Sequence, residues 1–177
     1  MLYSGKGDSG ETTAFGCDQQ KISKSSELPE ALGALDELQT FLGFVKMRAG
    51  REGRIGVVVH SVQETLFIVQ AEIAGADKKL KEGAVKEVEA MVNGIEKEIP
   101  PLTGFSIAGG TELSALLDVA RTLARRAERR LIAAGEAATC PLSKETKAYM
   151  NRLSSLLFAL ARLANHLAGV AEENPGY

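Results

Sequence analysis

Residues 149–167 read YMNRLSSLLFALARLANHL, with an apolar side chain at every third or fourth position. The apolar stripe consists of Tyr149, Leu153, Leu156, Leu157, Leu160, Leu163, Ala164 and Leu167. Because an α-helix turns once every 3.6 residues, residues at this spacing share one face, and other elements must cover that face. The segment therefore predicts a long amphipathic helix, which we expect to extend from about Pro141 to about Val170.

Four segments that precede it show the same period. They begin near Leu28, Arg54, Gly83 and Thr111 and end near Gly50, Ala74, Ile99 and Ala134. No segment alternates apolar and polar residues with a period of two. The sequence therefore predicts an all-α fold, a bundle of five helices joined mostly by short loops. We expect the bundle over residues 28–170, preceded by a glycine-rich segment at 1–27 and followed by a tail at 171–177.

The composition suits one soluble globular domain, with 45% hydrophobic and 25% charged residues in a chain of 177. A net charge of -2 gives no general attraction to nucleic acid or to an anionic membrane. No apolar run approaches the roughly 20 residues that span a bilayer, and no secretion signal is present. Cys17, Cys140, His60 and His166 stand far apart, so we expect no metal site and a reducing cytoplasmic setting.

The N-terminal stretch Ser4-Gly5-Lys6-Gly7-Asp8-Ser9-Gly10-Glu11-Thr12-Thr13 has the composition of a phosphate-binding loop. Glycine lets backbone N–H groups approach a phosphate closely, and the lysine and the hydroxyl groups supply further donors. The order is not that of a Walker A motif, because Gly10 is followed by Glu11 and not by Lys and Ser or Thr. On composition alone, a flexible polar tail is an equally good interpretation.

The fourth helix carries five arginines within ten residues, Arg121, Arg125, Arg126, Arg129 and Arg130. Three of them are four residues apart, where like charges cost roughly 0.2–0.5 kcal/mol per pair. We expect a phosphate chain, or carboxylates of another helix or subunit, to relieve this repulsion; a solvated basic face is the alternative. Asp36-Glu37 of the first helix is either solvated or supplies one such carboxylate. Gly109-Gly110 opens the helix and is expected to present free N–H groups to an anion.

Six motifs, in order along nearly the whole chain, resemble the ATP:cob(I)alamin adenosyltransferases of the propanediol-utilisation type. The two most specific are ARTLARRAER at residues 120–129 and Asn151-Arg152-Leu153-Ser154, which match the family intact. The other four are the glycine segment at 4–12, a basic pair at 21–24, the stretch at 33–39 and the loop at 105–110. The resemblance implies a homotrimer of five-helix bundles with active sites between subunits.

The implied reaction transfers the 5′-deoxyadenosyl group of ATP to the cobalt of cob(I)alamin and releases triphosphate. The resemblance implies Mg²⁺ with the ATP, a reductase that prepares Co(I), and an acceptor enzyme that uses adenosylcobalamin. It assigns to ATP the residues Ser4, Gly5, Lys6, Gly7, Thr12, Thr13, Lys24, Arg125, Arg126, Glu128, Arg129 and Asn151. The expected catalytic residues are Arg125, Asp36, which pairs with Arg125 across the interface, and Phe105, which lies against the lower face of the corrin.

The chain departs from the common family pattern at several positions. Gly5-Lys6 replaces a basic residue followed by Thr, and Gln39 replaces Asn. Leu28, Ala108, Asp118 and Ser155 stand where Arg, Pro, His and Asp are common. The departures on the corrin side favour one alternative, a non-catalytic trimer that binds ATP or adenosylcobalamin as a sensor or delivery protein. The other alternative is a structural bundle whose arginines only form interface salt bridges.

Overall fold

The computed structural model describes residues 3–13, 21–137 and 142–177. These ranges contain helices α1 (Glu27–Ala49), α2 (Arg54–Ile73), α3 (Ala84–Glu98), α4 (Glu112–Ala137) and α5 (Lys144–Leu167), and strands β1 (Glu11–Thr13) and β2 (Lys21–Ser23). The predicted bundle of five helices is confirmed, with ends within three residues of those expected. None of these helices combines the length and the apolar composition that crossing a bilayer requires. Cys17, Cys140 and Pro141 lie outside the described residues.

Part of the N-terminal segment forms a β-hairpin, whereas the sequence predicted no strand there. Strands β1 and β2 pair antiparallel, with Thr12 opposite Ile22. The N–H of Lys24 donates to the carbonyl oxygen of Gly10 at 2.9 Å, so the pairing continues beyond the strand ends. A strand of three residues is too short to show a period of two, which is why the pattern did not reveal the hairpin. The all-α prediction is therefore corrected to a helical bundle with a small two-stranded sheet.

The core lies where α1 and α5 pack on α4, with α2 covering α1 and α3 covering α5. The buried face of α4 is made of Leu117, Ala120, Ala124, Ala127, Leu131 and Ala134. Small alanine side chains allow neighbouring helices to approach closely, since interaxial distance depends on the side chains at the contact. Ser114 and Asp118 are the polar residues buried near the start of α4, and the arginines of the helix are more exposed.

Two residues are exposed although the apolar spacing of the sequence predicts both in the core, Phe67 in the second helical segment and Leu167 in the fifth. Phe67 is 63% exposed, because the buried stripe of α2 follows Ile55, Val59, Val62, Leu66, Val69 and Ile73, and Phe67 lies about 100° around the helix from its neighbour Leu66. Leu167 is 62% exposed at the last position of α5. The rest of the stripe predicted for α5 is buried.

Candidate functional site

The glycine-rich segment and the hairpin form a cleft of about 630 Å³. This volume lies within the range of about 300–1,000 Å³ that is usual for small-molecule sites. The cleft is lined by Ser4, Lys6, Gly7, Glu11, Thr12, Thr13 and Lys21. The structure thus brings together five of the residues that the resemblance assigned to ATP. Gly5 belongs to the same turn, with φ of +67° and a carbonyl oxygen that accepts the N–H of Asp8 at 3.2 Å.

Lys24 fixes the position of the glycine segment relative to the start of α1. Its Nζ donates a hydrogen bond to the carbonyl oxygen of Gly7 at 2.7 Å. A Cβ at Gly7 would lie 2.7 Å from this Nζ, so the absence of a side chain there permits the contact. Lys24 is not among the residues that line the cleft. An ammonium group has three donors, so this bond to Gly7 uses one of them.

Residues of α1 relieve part of the charge repulsion along α4. Arg126 forms an ion pair with Glu37, and Arg130 lies 3.7 Å from Glu30. The expectation that one residue of the Asp36-Glu37 pair meets the arginine cluster is confirmed, and that residue is Glu37. Arg121, the arginine of the cluster nearest the N-terminal end of α4, lies 3.5 Å from Asp118 of the same helix.

The ion pairs that the described residues form around this cluster involve Arg121, Arg126 and Arg130. Arg125 and Arg129 are exposed, and Arg129 Nη1 donates to the backbone carbonyl oxygen of Arg125 at 3.1 Å. Asp36 is also exposed on α1. Within the chain the structure does not bring Asp36 to Arg125, and their pairing between subunits stays a prediction.

Asn151 and Glu128, both assigned to ATP, are in direct contact. Asn151 Nδ2 donates to Glu128 Oε1 at 3.0 Å, and Asn151 Oδ1 accepts from Arg152 Nη1 at 2.7 Å. Arg152 Nε in turn donates to Glu89 Oε1 on α3 at 2.9 Å. These bonds fix the orientation of the Asn151 amide. Sequence reasoning did not assign a role to Arg152, although its place in the Asn-Arg-Leu-Ser motif was a signal.

Phe105 lies on the loop between α3 and α4 and is 79% exposed. The C-terminal end of this loop is fixed at Gly109. The N–H of Gly109 donates to Asp118 Oδ2 at 3.3 Å, and its carbonyl oxygen accepts from Asn165 Nδ2 at 2.8 Å and from Ser114 Oγ at 2.9 Å. Sequence reasoning missed Asn165 and Ser114 and recorded Asp118 only as a departure from the family.

The expectation of free N–H groups at the start of α4 does not hold for Gly109, Thr111 and Ser114. The N–H of Gly109 is bonded to Asp118, the N–H of Thr111 donates to Asn165 Oδ1 at 3.0 Å, and the N–H of Ser114 donates to Thr111 Oγ1 at 3.0 Å. Thr111 is therefore the N-cap of the helix. These three N–H groups are occupied within the chain, and their bonds anchor the loop and the first turn of α4.

The remaining electrostatic features lie away from the cleft. In the described ranges, no three His, Cys, Asp or Glu side chains form a group that could hold a metal ion. Burial raises the pKa of Tyr149 to about 12, and the nearby charge of Glu87 acts in the same direction. The phenol of Tyr149 therefore stays protonated across the physiological range.

Comparison with known proteins gives a consistent result. The sequence model of the cobalamin adenosyltransferase family matches residues 2–164. A corrinoid adenosyltransferase of Citrobacter freundii is 37% identical over 169 residues, which cover 92% of this chain and 93% of that protein. A corrinoid adenosyltransferase of Bacillus subtilis is 32% identical, with 97% and 90% covered. A variant PduO-type ATP:corrinoid adenosyltransferase from Lactobacillus reuteri, solved with cobalamin and ATP, superposes over 100% of both chains with a TM-score of 0.90 at 25% identity.

Proposed function

Because the chain belongs to the cobalamin adenosyltransferase family, we propose that it transfers the 5′-deoxyadenosyl group of ATP to the cobalt of cob(I)alamin. The products are adenosylcobalamin and triphosphate. The observation that carries the proposal is the cleft of the glycine segment, whose lysine, hydroxyl and backbone donors suit a triphosphate. The segment at 1–27 is then the ATP-binding part of the chain, the bundle at 28–170 supports it, and the tail at 171–177 follows.

In this proposal the triphosphate of ATP lies in the cleft. Lys6 and Lys24 supply positive charge, and Ser4, Thr12 and Thr13 supply hydroxyl donors. Gly5 and Gly7 allow the backbone to approach the phosphates. Arg125, Arg126, Arg129, Glu128 and Asn151 complete the nucleotide site from a neighbouring subunit.

The exposed charges of α1 and α4 support a homotrimer with sites between subunits. Arg125, Arg129 and Asp36 each point a charged group to the surface, and the described part of the chain gives none of them an ion-pair partner. Arg125 of one subunit then pairs with Asp36 of the next. This pair places the guanidinium beside the leaving triphosphate and holds two subunits in register.

The chemistry needs no nucleophilic side chain, because Co(I) is itself a strong nucleophile. Its electron pair forms the bond to the 5′ carbon of ATP, and the carbon–oxygen bond breaks with its electrons on the triphosphate. The protein aligns the 5′ carbon with cobalt and stabilises the charge that develops on the leaving group. Arg125, Arg129 and Lys24 perform the second task.

Phe105 faces the corrin in this proposal. A large apolar side chain that is 79% exposed on an anchored loop suits the flat lower face of the macrocycle. There it takes the place of the lower axial ligand. Cobalt without that ligand is reduced to Co(I) more easily, so Phe105 assists the step that precedes alkyl transfer.

Mg²⁺ fits this site as a companion of ATP. The ion usually keeps several waters and binds through substrate phosphates with one or two carboxylates. Glu11 is the carboxylate that lines the cleft, and Ser4, Thr12 and Thr13 add hydroxyl oxygens. Bound there, Mg²⁺ would neutralise phosphate charge.

A reductase that supplies Co(I) and an acceptor enzyme for adenosylcobalamin complete the proposed partners, and a reducing cytoplasm is the setting that suits Co(I).

The proposal is tested by visible absorbance under strict anaerobiosis, with chemically reduced cob(I)alamin, ATP and Mg²⁺. We expect the Co(I) band to fall and the light-sensitive spectrum of adenosylcobalamin to grow. Arg54→Ala is a matched control, because Arg54 pairs with Glu98 on the surface of α2 and α3. ATP binding without any change of the corrinoid spectrum would contradict the enzyme and point to the sensor or delivery role.

A further inference from the structure

Arg162 is a buried charge on α5 that the proposed mechanism does not use. The residue is only 7% exposed. Its Nε and Nη2 donate to the two carboxylate oxygens of Glu172 at 2.6 and 2.9 Å, and Nη2 also donates to the carbonyl oxygen of Pro100 at 2.7 Å. One guanidinium thus joins the end of α5, the tail and the start of the Phe105 loop.

The tail continues this connection on both sides of Phe105. The carbonyl oxygen of Glu173 accepts the N–H of Ile107 at 2.8 Å. Asn174 Nδ2 donates to Thr103 Oγ1 at 3.4 Å. Thr103 and Ile107 are two residues before and two residues after Phe105, so the tail holds the loop at symmetrical points around this side chain.

Hydrogen bonds connect the loop to the tail across a pocket. This pocket of about 290 Å³ lies beside Arg162, is partly open to solvent, and is lined by both segments. Packing between the two segments is therefore incomplete there, and the hydrogen bonds supply the defined contacts. Moreover, a buried ion pair can often be replaced by apolar residues without loss of stability. The pair is therefore better explained by the geometry that it imposes than by its contribution to stability.

We propose that Arg162 is a positioning residue for Phe105. Through Glu172 it holds the tail, and through the tail and Pro100 it holds the loop that presents Phe105 to the corrin. This inference rests on the proposed function, in which Phe105 displaces the lower axial ligand of cobalt. The family match ends at residue 164, so Glu172, Glu173 and Asn174 lie beyond the part of the chain that this match covers.

The lower ligand gives a specific test. Cobalamin carries a nucleotide base that ligates the lower face of cobalt, and cobinamide lacks this base. Cob(II)inamide holds only a weakly bound water at this position, so displacement by Phe105 matters chiefly for cobalamin. A variant that misplaces Phe105 should therefore lose activity with cob(II)alamin, reduced in the assay by free dihydroflavin, and keep activity with cobinamide. A general loss of folding would affect both substrates equally.

The variants are Glu172→Gln, Arg162→Met and the double variant Arg162→Met/Glu172→Leu. The double variant removes both charges and is expected to stay folded, as thermal unfolding will show. Phe105→Ala is the positive control. Lys81→Met is the negative control, because it removes a surface ion pair with Glu87 near the start of α3, at the opposite end of this helix from the loop. We expect the rate with cob(II)alamin to fall about tenfold or more, because a misplacement of about 1 Å can cost about a hundredfold. The rate with cobinamide and the affinity for ATP should stay within about twofold of the parent.

A second readout does not depend on activity. The chain contains no tryptophan, so Phe105→Trp introduces a single indole whose fluorescence anisotropy reports motion of the loop. Adding the double variant to this background should lower the anisotropy. Unchanged anisotropy, or equal losses with cobalamin and cobinamide, would overturn the proposal. An unmutated chain inactive with both corrinoids would instead overturn the proposed function, and the anisotropy would still report whether Arg162 holds the loop.

Discussion

The side-chain ammonium of Lys24 lies 2.7 Å from the carbonyl oxygen of Gly7, seventeen positions earlier in the chain. This bond joins the turn that precedes β1, which lines the cleft proposed for ATP, to the turn that follows β2. Because Lys24 precedes α1 by three residues, the same contact ties the cleft to the bundle. The hairpin is small, and this lysine gives it a fixed position relative to the helices.

Gly7→Ala should weaken ATP binding with little effect on stability. The added Cβ would meet Lys24 Nζ at 2.7 Å, and the flexible lysine side chain would move away. One charge-assisted hydrogen bond contributes about 1.5–3 kcal/mol, so we expect a loss of about tenfold or more in ATP affinity by calorimetry. Gly94→Ala in α3 is the control, because nothing lies within 4 Å of its added Cβ. Equal ATP affinity in both variants would show that the contact between Gly7 and Lys24 does not contribute to ATP binding.

Arg125→Ala should reduce kcat strongly, whereas Arg130→Ala should not. Removing one donor that stabilises developing negative charge costs about a hundredfold or more in rate. Arg130 already has Glu30 as a partner 3.7 Å away, and it serves as the matched control on the same helix. Steady-state kinetics of the two variants compare their kcat values, and an equal kcat would contradict the role of Arg125.

Asp36 gives a test of the pairing between subunits. If Asp36 acts only through Arg125, the double variant Asp36→Ala/Arg125→Ala should be no slower than Arg125→Ala alone. Glu37→Ala is the neighbouring control, because Glu37 pairs with Arg126 inside the chain. Additive losses from Asp36 and Arg125 would contradict a direct pair, and a monomer in analytical ultracentrifugation would contradict the trimer.

Gly110→Ala should destabilise the fold by about 1–3 kcal/mol, the usual cost of strained backbone. Gly110 has φ of +100°, and an added Cβ would lie 2.7 Å from Asn165 Oδ1. The substitution would therefore disturb the amide that holds Gly109 and Thr111. Gly104→Ala in the same loop is the control, because its added Cβ meets nothing within 4 Å. Urea unfolding gives the free energy of unfolding of each variant. Equal values for Gly110→Ala and Gly104→Ala would count against the anchor at Asn165.

The buried phenol of Tyr149 predicts a loss of stability at high pH. Its pKa is raised to about 12 in the folded chain, from 10.0 for the unperturbed group. The unfolded chain therefore releases this proton first, and stability falls as the pH rises from about 10 towards 12. At about pH 11 the loss attributable to Tyr149 should be about 1.4 kcal/mol, one pKa unit in free energy. Urea unfolding at about pH 9 and pH 11 should show this difference in the parent and not in Tyr149→Phe.

The sequence predicted well those features that depend on local periodicity. The five helices follow from apolar spacing. Charge left either Asp36 or Glu37 as a candidate partner of the arginine cluster, and the structure selects Glu37 within the chain. Periodicity failed where a window holds too few residues, as in the three-residue strands, and where adjacent apolar residues compete, as at Leu66 and Phe67. It gave no sign of Asn165 or Arg162, because a polar residue within an apolar stripe acquires its role only from a distant partner such as Gly109 or Glu172. The N–H groups of Gly109 and Thr111 were misjudged for the same reason, because Asp118 and Asn165 accept them.

The central claim is transfer of the 5′ carbon of ATP to cobalt. The most direct test is ATP labelled with ¹³C at that carbon, incubated anaerobically with cob(I)alamin and the protein and followed by NMR. The account predicts that the label appears in a light-sensitive product, bonded to cobalt, with one triphosphate released for each cobalt alkylated. Label that stays in ATP, or that leaves in adenosine or AMP without a cobalt–carbon bond, would contradict it.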